Sequence, residues 1–146
     1  MARKIALISC TSKKINAEEA VEAKDLYAGT MFKLAWEYAN KIINVDQIYI
    51  LSAKHHLLNP DVKIEVYNHT LVGKKVGEIK EWSEKVLEQL KGENIDFEND
   101  EFYILAGKNY HKYLVTRERF KKVVYPYAGC RGIGYILKYL KEQLEK

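Results

Sequence analysis

The sequence predicts an α/β domain: a central, largely parallel sheet of about four strands, flanked by helices, with a polar cleft at the strand carboxyl ends. Two observations carry this expectation. Four short runs, Lys4–Ser9, Asp46–Leu51, Glu101–Ala106 and Lys121–Val124, have the continuous aliphatic character of strands buried on both faces. Longer segments between and after them repeat apolar residues every three or four positions, and strands alternating with such helices build parallel sheets. The chain has 146 residues. That is enough for one domain, 1–146, to bury a core without disulfides or a metal.

Each helix has its own apolar stripe. Gly29–Ile43 carries Met31, Leu34, Ala35, Tyr38, Ala39 and Ile42 at helical spacing. Lys75–Leu90 aligns Val76, Ile79, Trp82, Val86, Leu87 and Leu90, and Gly92 follows as a stop. Lys108–Thr116 predicts a short helix, and Ile133–Leu144 a closing one with Ile133, Ile136, Leu137, Leu140 and Leu144 inward. Thr30 is the expected cap of the first long helix and Gly29 the turn before it. The acidic stretch Glu93–Glu101 reads as an exposed loop.

Composition bounds the function. No apolar run approaches the ~18 residues that span a bilayer, and Ile5–Ile8 is too short for a secretory signal, so a cytoplasmic protein with no membrane partner is expected. Cys10 and Cys130 then read as free thiols. The net charge of +4 permits a nucleic-acid partner without demanding one.

In a parallel sheet the chemically loaded segments after each strand converge on one edge, where ligands of open α/β sheets sit. After the first strand, Cys10-Thr-Ser12-Lys13-Lys14 offers hydroxyls, backbone N–H groups and cations suited to an anion, although the glycines of a phosphate-binding loop are missing. The alternative is a polar turn with solvated lysines. Tyr27 stands at the amino end of the first long helix, within reach of the cleft.

The second strand runs into Ser52, Lys54, His55, His56, Asp61, Glu65 and Tyr67, too many titratable groups for a plain connector. One imidazole, His55, suits proton transfer near neutrality. Asp61 and Glu65 are carboxylates to activate water or hold a ribose hydroxyl. Tyr67 and Tyr110 are rings on which a base can stack. Arg131, between Gly129 and Gly132, suits a bidentate phosphate contact. His55, His56, His111, Cys10 and Cys130 lack metal-site spacings, so no metal and no cofactor is expected.

Read from its residues, then, the chain is a nucleic-acid- or nucleotide-directed enzyme. His55, Asp61 and Glu65 are its candidate catalytic groups. Cys10, Ser12, Lys13, Tyr27, Ser52, Lys54, Tyr67, Tyr110 and Arg131 are its candidate substrate contacts. Hydrolysis of an N-glycosidic bond of a DNA base fits this set, with cations on the backbone and aromatics around a flipped base. The alternatives are a non-catalytic DNA-binding module and a small-molecule nucleotide or phosphate transferase.

The stretches Ser9–Lys14, Asp25-Leu-Tyr27, Tyr49–Asp61 and Ile64–Tyr67 followed by Thr70-Leu71 resemble an uncharacterised YaaA-like domain family of bacteria, archaea and phages, named after a peroxide-stress protein. The Leu51–Asp61 stretch is the most specific part, and Ser52, Asp61 and Tyr67 fall on that family's motif positions. The resemblance implies DNA binding in a stress response and brings no established reaction. The chain lacks that family's helix-hairpin-helix insertion.

Overall fold

The structure is a computed structural model and describes residues 2–9, 20–26, 29–64 and 74–145. Its centre is a five-stranded sheet in the order β4-β3-β1-β6-β7. The strands are β1 (Lys4–Ser9), β3 (Gln47–Ser52), β4 (His56–Leu58), β6 (Glu101–Leu105) and β7 (Lys122–Val124). β1, β3, β6 and β7 are mutually parallel, as their aliphatic runs predict, and β4 is antiparallel to β3. A small ribbon of β2 (Val21–Glu22) and β5 (Lys63–Ile64) stands beside them.

The helices are α1 (Ala23–Leu26), α2 (Thr30–Glu37), α3 (Val76–Gly92), α4 (Lys108–His111) and α5 (Ile133–Glu145). α2 packs on β1 and on α5, whereas α3 packs on β4 and α4. The two groups cover opposite faces for a reason of handedness. The chain steps from β1 to β3 in one direction and from β3 to β6 in the other, so right-handed crossovers put α2 and α3 on opposite sides.

Burial follows this frame. Ile5, Ala6, Leu7, Ile50, Leu51 and Phe102 are fully buried in the inner strands. At the amino end of β6, Phe97 and Phe102 stack, and Phe120 meets both edge to face, Phe102–Phe120 at 4.9 Å. The acidic loop is tied into the fold through one side chain. Buried Asp100 accepts the backbone N–H groups of Arg3 and Asp96, both at 2.9 Å.

Three departures from the expected elements have local causes. α2 widens into a π-helical turn, Tyr38–Ile43, closed by Asn44 in the left-handed conformation at φ 61°. The wider turn moves the buried position from Ile42, 42 % exposed, to Ile43. Gly29, not Thr30, occupies the cap position of α2, without a side-chain cap bond. The helix after β6 stops at His111, and turns carry the chain to buried Phe120.

The segment after β3, expected as a long loop, instead turns back at once. Ser52 Oγ accepts the His55 N–H at 3.1 Å, which closes the turn, and His56 enters β4 at φ 65°. Strand alternation leaves Leu57 facing outward, and Gln89 of α3 bonds both its N–H (2.8 Å) and its C=O (3.4 Å). No helix among the described residues is long and apolar enough to cross a membrane.

Candidate functional site

A cavity of about 310 Å³ opens at the carboxyl ends of β1 and β6. It is lined by Ile8 and Ser9 from β1, by Leu105 from β6 and by Gly107 just after it, the two adjacent strands aligned Ile8 to Leu105. The chain leaves these two strands in opposite directions, β1 toward β3 and β6 toward β7. Diverging loops at such a switch point leave a crevice, the usual ligand position in open α/β sheets. Met31 and Phe32 of α2 form one wall; Tyr110 of α4 and Tyr127 form another, with Ile133 and Ile136 of α5.

The cavity is mostly apolar, with a few polar groups. Tyr110 is nearly buried and meets Trp82 edge to face at 5.5 Å. Trp82 Nε1 donates to the Ser52 carbonyl at 2.8 Å, so the end of β3 braces the cavity wall through α3. Lys108 and Asn109 stand exposed at the mouth. Tyr127 is presented by two successive turns, Ala128 N–H to Tyr125 and Cys130 N–H to Tyr127, with Gly129 at φ 89° supplying a conformation that side chains rarely adopt.

Tyr127 Oη is shut off from solvent and has no hydrogen-bond partner among the described residues. Burial, helped by the nearby Tyr38, Cys130 and Tyr139, pushes its pKa well above the ordinary phenol value, so it is a neutral O–H. Tyr38 and Tyr139, by contrast, bond each other at 2.9 Å. A buried, unmatched hydroxyl costs about 1–3 kcal/mol.

The expected site residues divide by this geometry. Tyr110 lines the cavity. Arg131 is exposed two residues before the lining Ile133. Ser52 is fully buried and serves the hairpin turn, so it is not a surface contact for substrate; its link to the cavity runs through Trp82. Lys54 is exposed in that same turn, and His55 is half-buried there with Nε2 screened from solvent. Cys10, Ser12, Lys13, Tyr27, Glu65 and Tyr67 lie outside the described residues.

Asp61 does not join this edge. β4 runs back along β3, and Asp61 shares a shallow depression with Asp46, Gln47 and Ile48, at the amino end of the sheet. Gln47 and Ser52 are five strand positions apart, about 16 Å at the usual rise. Asp61 is 72 % exposed and pairs with Lys24 Nζ at 3.0 Å; that bond, aided by Glu22, raises the Lys24 pKa. The neighbouring backbone is pinned to α1, Ala23 N–H bonding Val62 and Lys24 N–H bonding Pro60. The expectation of one concavity holding Asp61 and Arg131 is thus overturned by the short hairpin.

Sequence reading missed Met31, Phe32, Leu105 and Ile136 as lining residues. Each reads as core, and only the topology leaves their ends uncovered. Tyr127, flanking Pro126, was the legible signal. Among the described residues no group of three or more His, Cys, Asp or Glu is placed to hold a metal ion.

The model of a family of unknown function, DUF6884, matches residues 5–142. No curated protein matches the chain, and no solved structure does. An uncharacterised domain family is therefore shown; a relation to YaaA-like proteins is not among these findings.

Proposed function

The chain belongs to the DUF6884 family, and since that membership carries no known activity, we propose from the site itself that it is a nucleotide-directed enzyme whose cavity holds the base. The observation that supports this is the switch-point cavity with its aromatic walls. Its volume lies at the small end of the ~300–1,000 Å³ of ligand pockets. A planar heterocycle suits it, with flat, largely apolar faces toward Phe32 and Tyr110 and polar edges toward Ser9 and Asn109. Arg131 and Lys108 supply charge for the phosphate outside.

The reaction we assign is hydrolysis of the N-glycosidic bond. A base held this way leaves the bond to its sugar at the mouth, beside Ser9 and Asn109. Of the expected acid–base groups, Glu65 is the carboxylate still available to this reading, since Asp61 stands at the other end of the sheet. The experiment is calorimetric titration with nucleosides and their 5′-monophosphates, alongside chromatographic detection of free base. Binding tighter than about 1 mM, or −4 kcal/mol, is expected for at least one base. Gly107→Leu should weaken it at least tenfold, because the added side chain grows into open space from the cavity lining. A folded protein that binds no nucleoside would sink the reading.

A specific observation favours a second reading, a binding module without catalysis: among the described residues no carboxylate or imidazole lines the cavity. Base binding with no base release would select it. The YaaA-like relation stays a proposal resting on the Leu51–Asp61 stretch.

A further inference from the structure

Between Gly107 and Gly132 the chain carries seven Lys or Arg and one carboxylate, Glu118, against +4 for the whole chain. The remainder is therefore net negative, and the positive charge is concentrated in the segment that builds half of the cavity. Part of this charge is engaged elsewhere: Arg119 lines a groove with Glu84 and Glu88 of α3, and Lys122 stands opposite Glu101. Lys108, Arg117 and Arg131 take part in no ion pair among the described residues, and all are exposed.

An aromatic surface runs through this segment. Tyr125, 40 % exposed, packs on the His111 ring at 5.2 Å with the rings tilted by 49°. His111 adjoins the cavity wall residue Tyr110, and Tyr125 stands two positions before the wall residue Tyr127. Burial raises the Tyr125 phenol, and the Arg117 charge partly offsets it, which places Arg117 near that ring. A tyrosine braced by an imidazole, with Arg117 near the phenol and Lys108 near the imidazole, is the surface that single-stranded nucleic acids use: rings for bases, cations for phosphates.

We propose that the base reaches the cavity as part of a polynucleotide strand, with the adjoining base stacked on Tyr125 and the phosphates on Lys108, Arg117 and Arg131. This rests on the cavity being a base site, and it names the substrate as a strand in place of a free nucleotide. Loss of one stacked base costs about 1–3 kcal/mol, or roughly 5- to 150-fold in affinity.

The test uses the intact protein, a labelled mixed-sequence single-stranded 12-mer followed by fluorescence anisotropy at 50 to 200 mM salt, and calorimetry with nucleoside monophosphates. The 12-mer should bind at least tenfold tighter than any monophosphate. Tyr125→Ala should weaken it by roughly 5-fold or more, Tyr125→Phe should restore it, and Arg117→Glu should flatten its salt dependence; monophosphate binding should be unchanged in all three. Monophosphate binding with a 12-mer no tighter, or one indifferent to Tyr125 and Arg117, overturns the strand and leaves the base cavity standing. A 12-mer that depends on Tyr125 yet ignores Gly107→Leu overturns delivery to the cavity. Binding of neither ligand overturns both readings.

Discussion

Two tyrosines from one cluster carry opposite expectations for stability. Tyr38 donates to or accepts from Tyr139, so Tyr38→Phe removes a made bond and should cost about 1 kcal/mol in denaturant melts. Tyr127 has a buried hydroxyl with no match among the described residues, so Tyr127→Phe should leave stability equal or raise it by up to about 1 kcal/mol. Asp61→Asn should leave both the melting temperature and base binding unchanged, because its ion pair is exposed and distant from the cavity. A loss of binding in that variant, with the fold intact, would return Asp61 to the site. Which carboxylate faces a ligand was not legible in the sequence. Asp61 and Ser52 are nine positions apart, and a hairpin one residue longer or shorter would place Asp61 elsewhere.

The strands were legible because aliphatic runs such as Lys4–Ser9 and Gln47–Ser52 have few other uses. β4 was not, since His56-Leu-Leu58 is short and begins with an imidazole in a left-handed conformation. Periodicity also placed Ile42 inward, and it fails there because the π-turn delays the buried position by one residue. This difference can be measured. Ile43→Ala should cost about 2–4 kcal/mol as a large-to-small core change, whereas Ile42→Ala should stay within about 0.5 kcal/mol. Equal effects in urea melts would show the turn to be α-helical. α5 displays the same limit of patterning: Leu140 alone of its expected stripe is fully buried, and Ile133 is 69 % exposed because it rims the cavity instead of the core.

The protonation of the whole molecule confines its stability to a plateau. His111 is held below its ordinary 6.5 by burial and by Lys108, and His56 by burial and by Lys85. The unfolded chain therefore takes up protons first, so stability falls as pH drops from about 6.5 through the folded values. Asp100 is lowered too: burial acts upward, and the N–H groups of Arg3 and Asp96 with the Arg3 charge outweigh it. Its contribution is present above the unfolded value of 3.8 and is lost as pH falls through the folded one. At the alkaline end Tyr49 is pushed up to about 12, chiefly by burial, and Tyr38 and Tyr127 are raised as well. Unfolded phenols ionise near 10, so stability declines above that pH. A melting temperature measured across pH should be flat from about 7 to 9.5 and fall on both sides. His111→Gln should remove part of the first acid step and none of the last. Asp100→Ala should cost about 2–3 kcal/mol at neutral pH by stranding two backbone donors.

The grip of Gln89 on Leu57 reaches beyond a single molecule. A bare strand edge recruits further strands, and a sheet bare at both edges can polymerise without end. Here β4 is sealed at Leu57 by an α3 side chain, while β7, among the described residues, pairs on one side only and carries Lys122. Among the described residues, β7 is therefore the one terminal strand of this sheet left open for edge-to-edge growth. Two copies joined there by a two-fold axis use up both open edges, and association stops at a closed pair. Gln89→Ala would uncover the second edge and convert a self-limiting contact into a chain-forming one, visible as turbidity that rises with protein concentration.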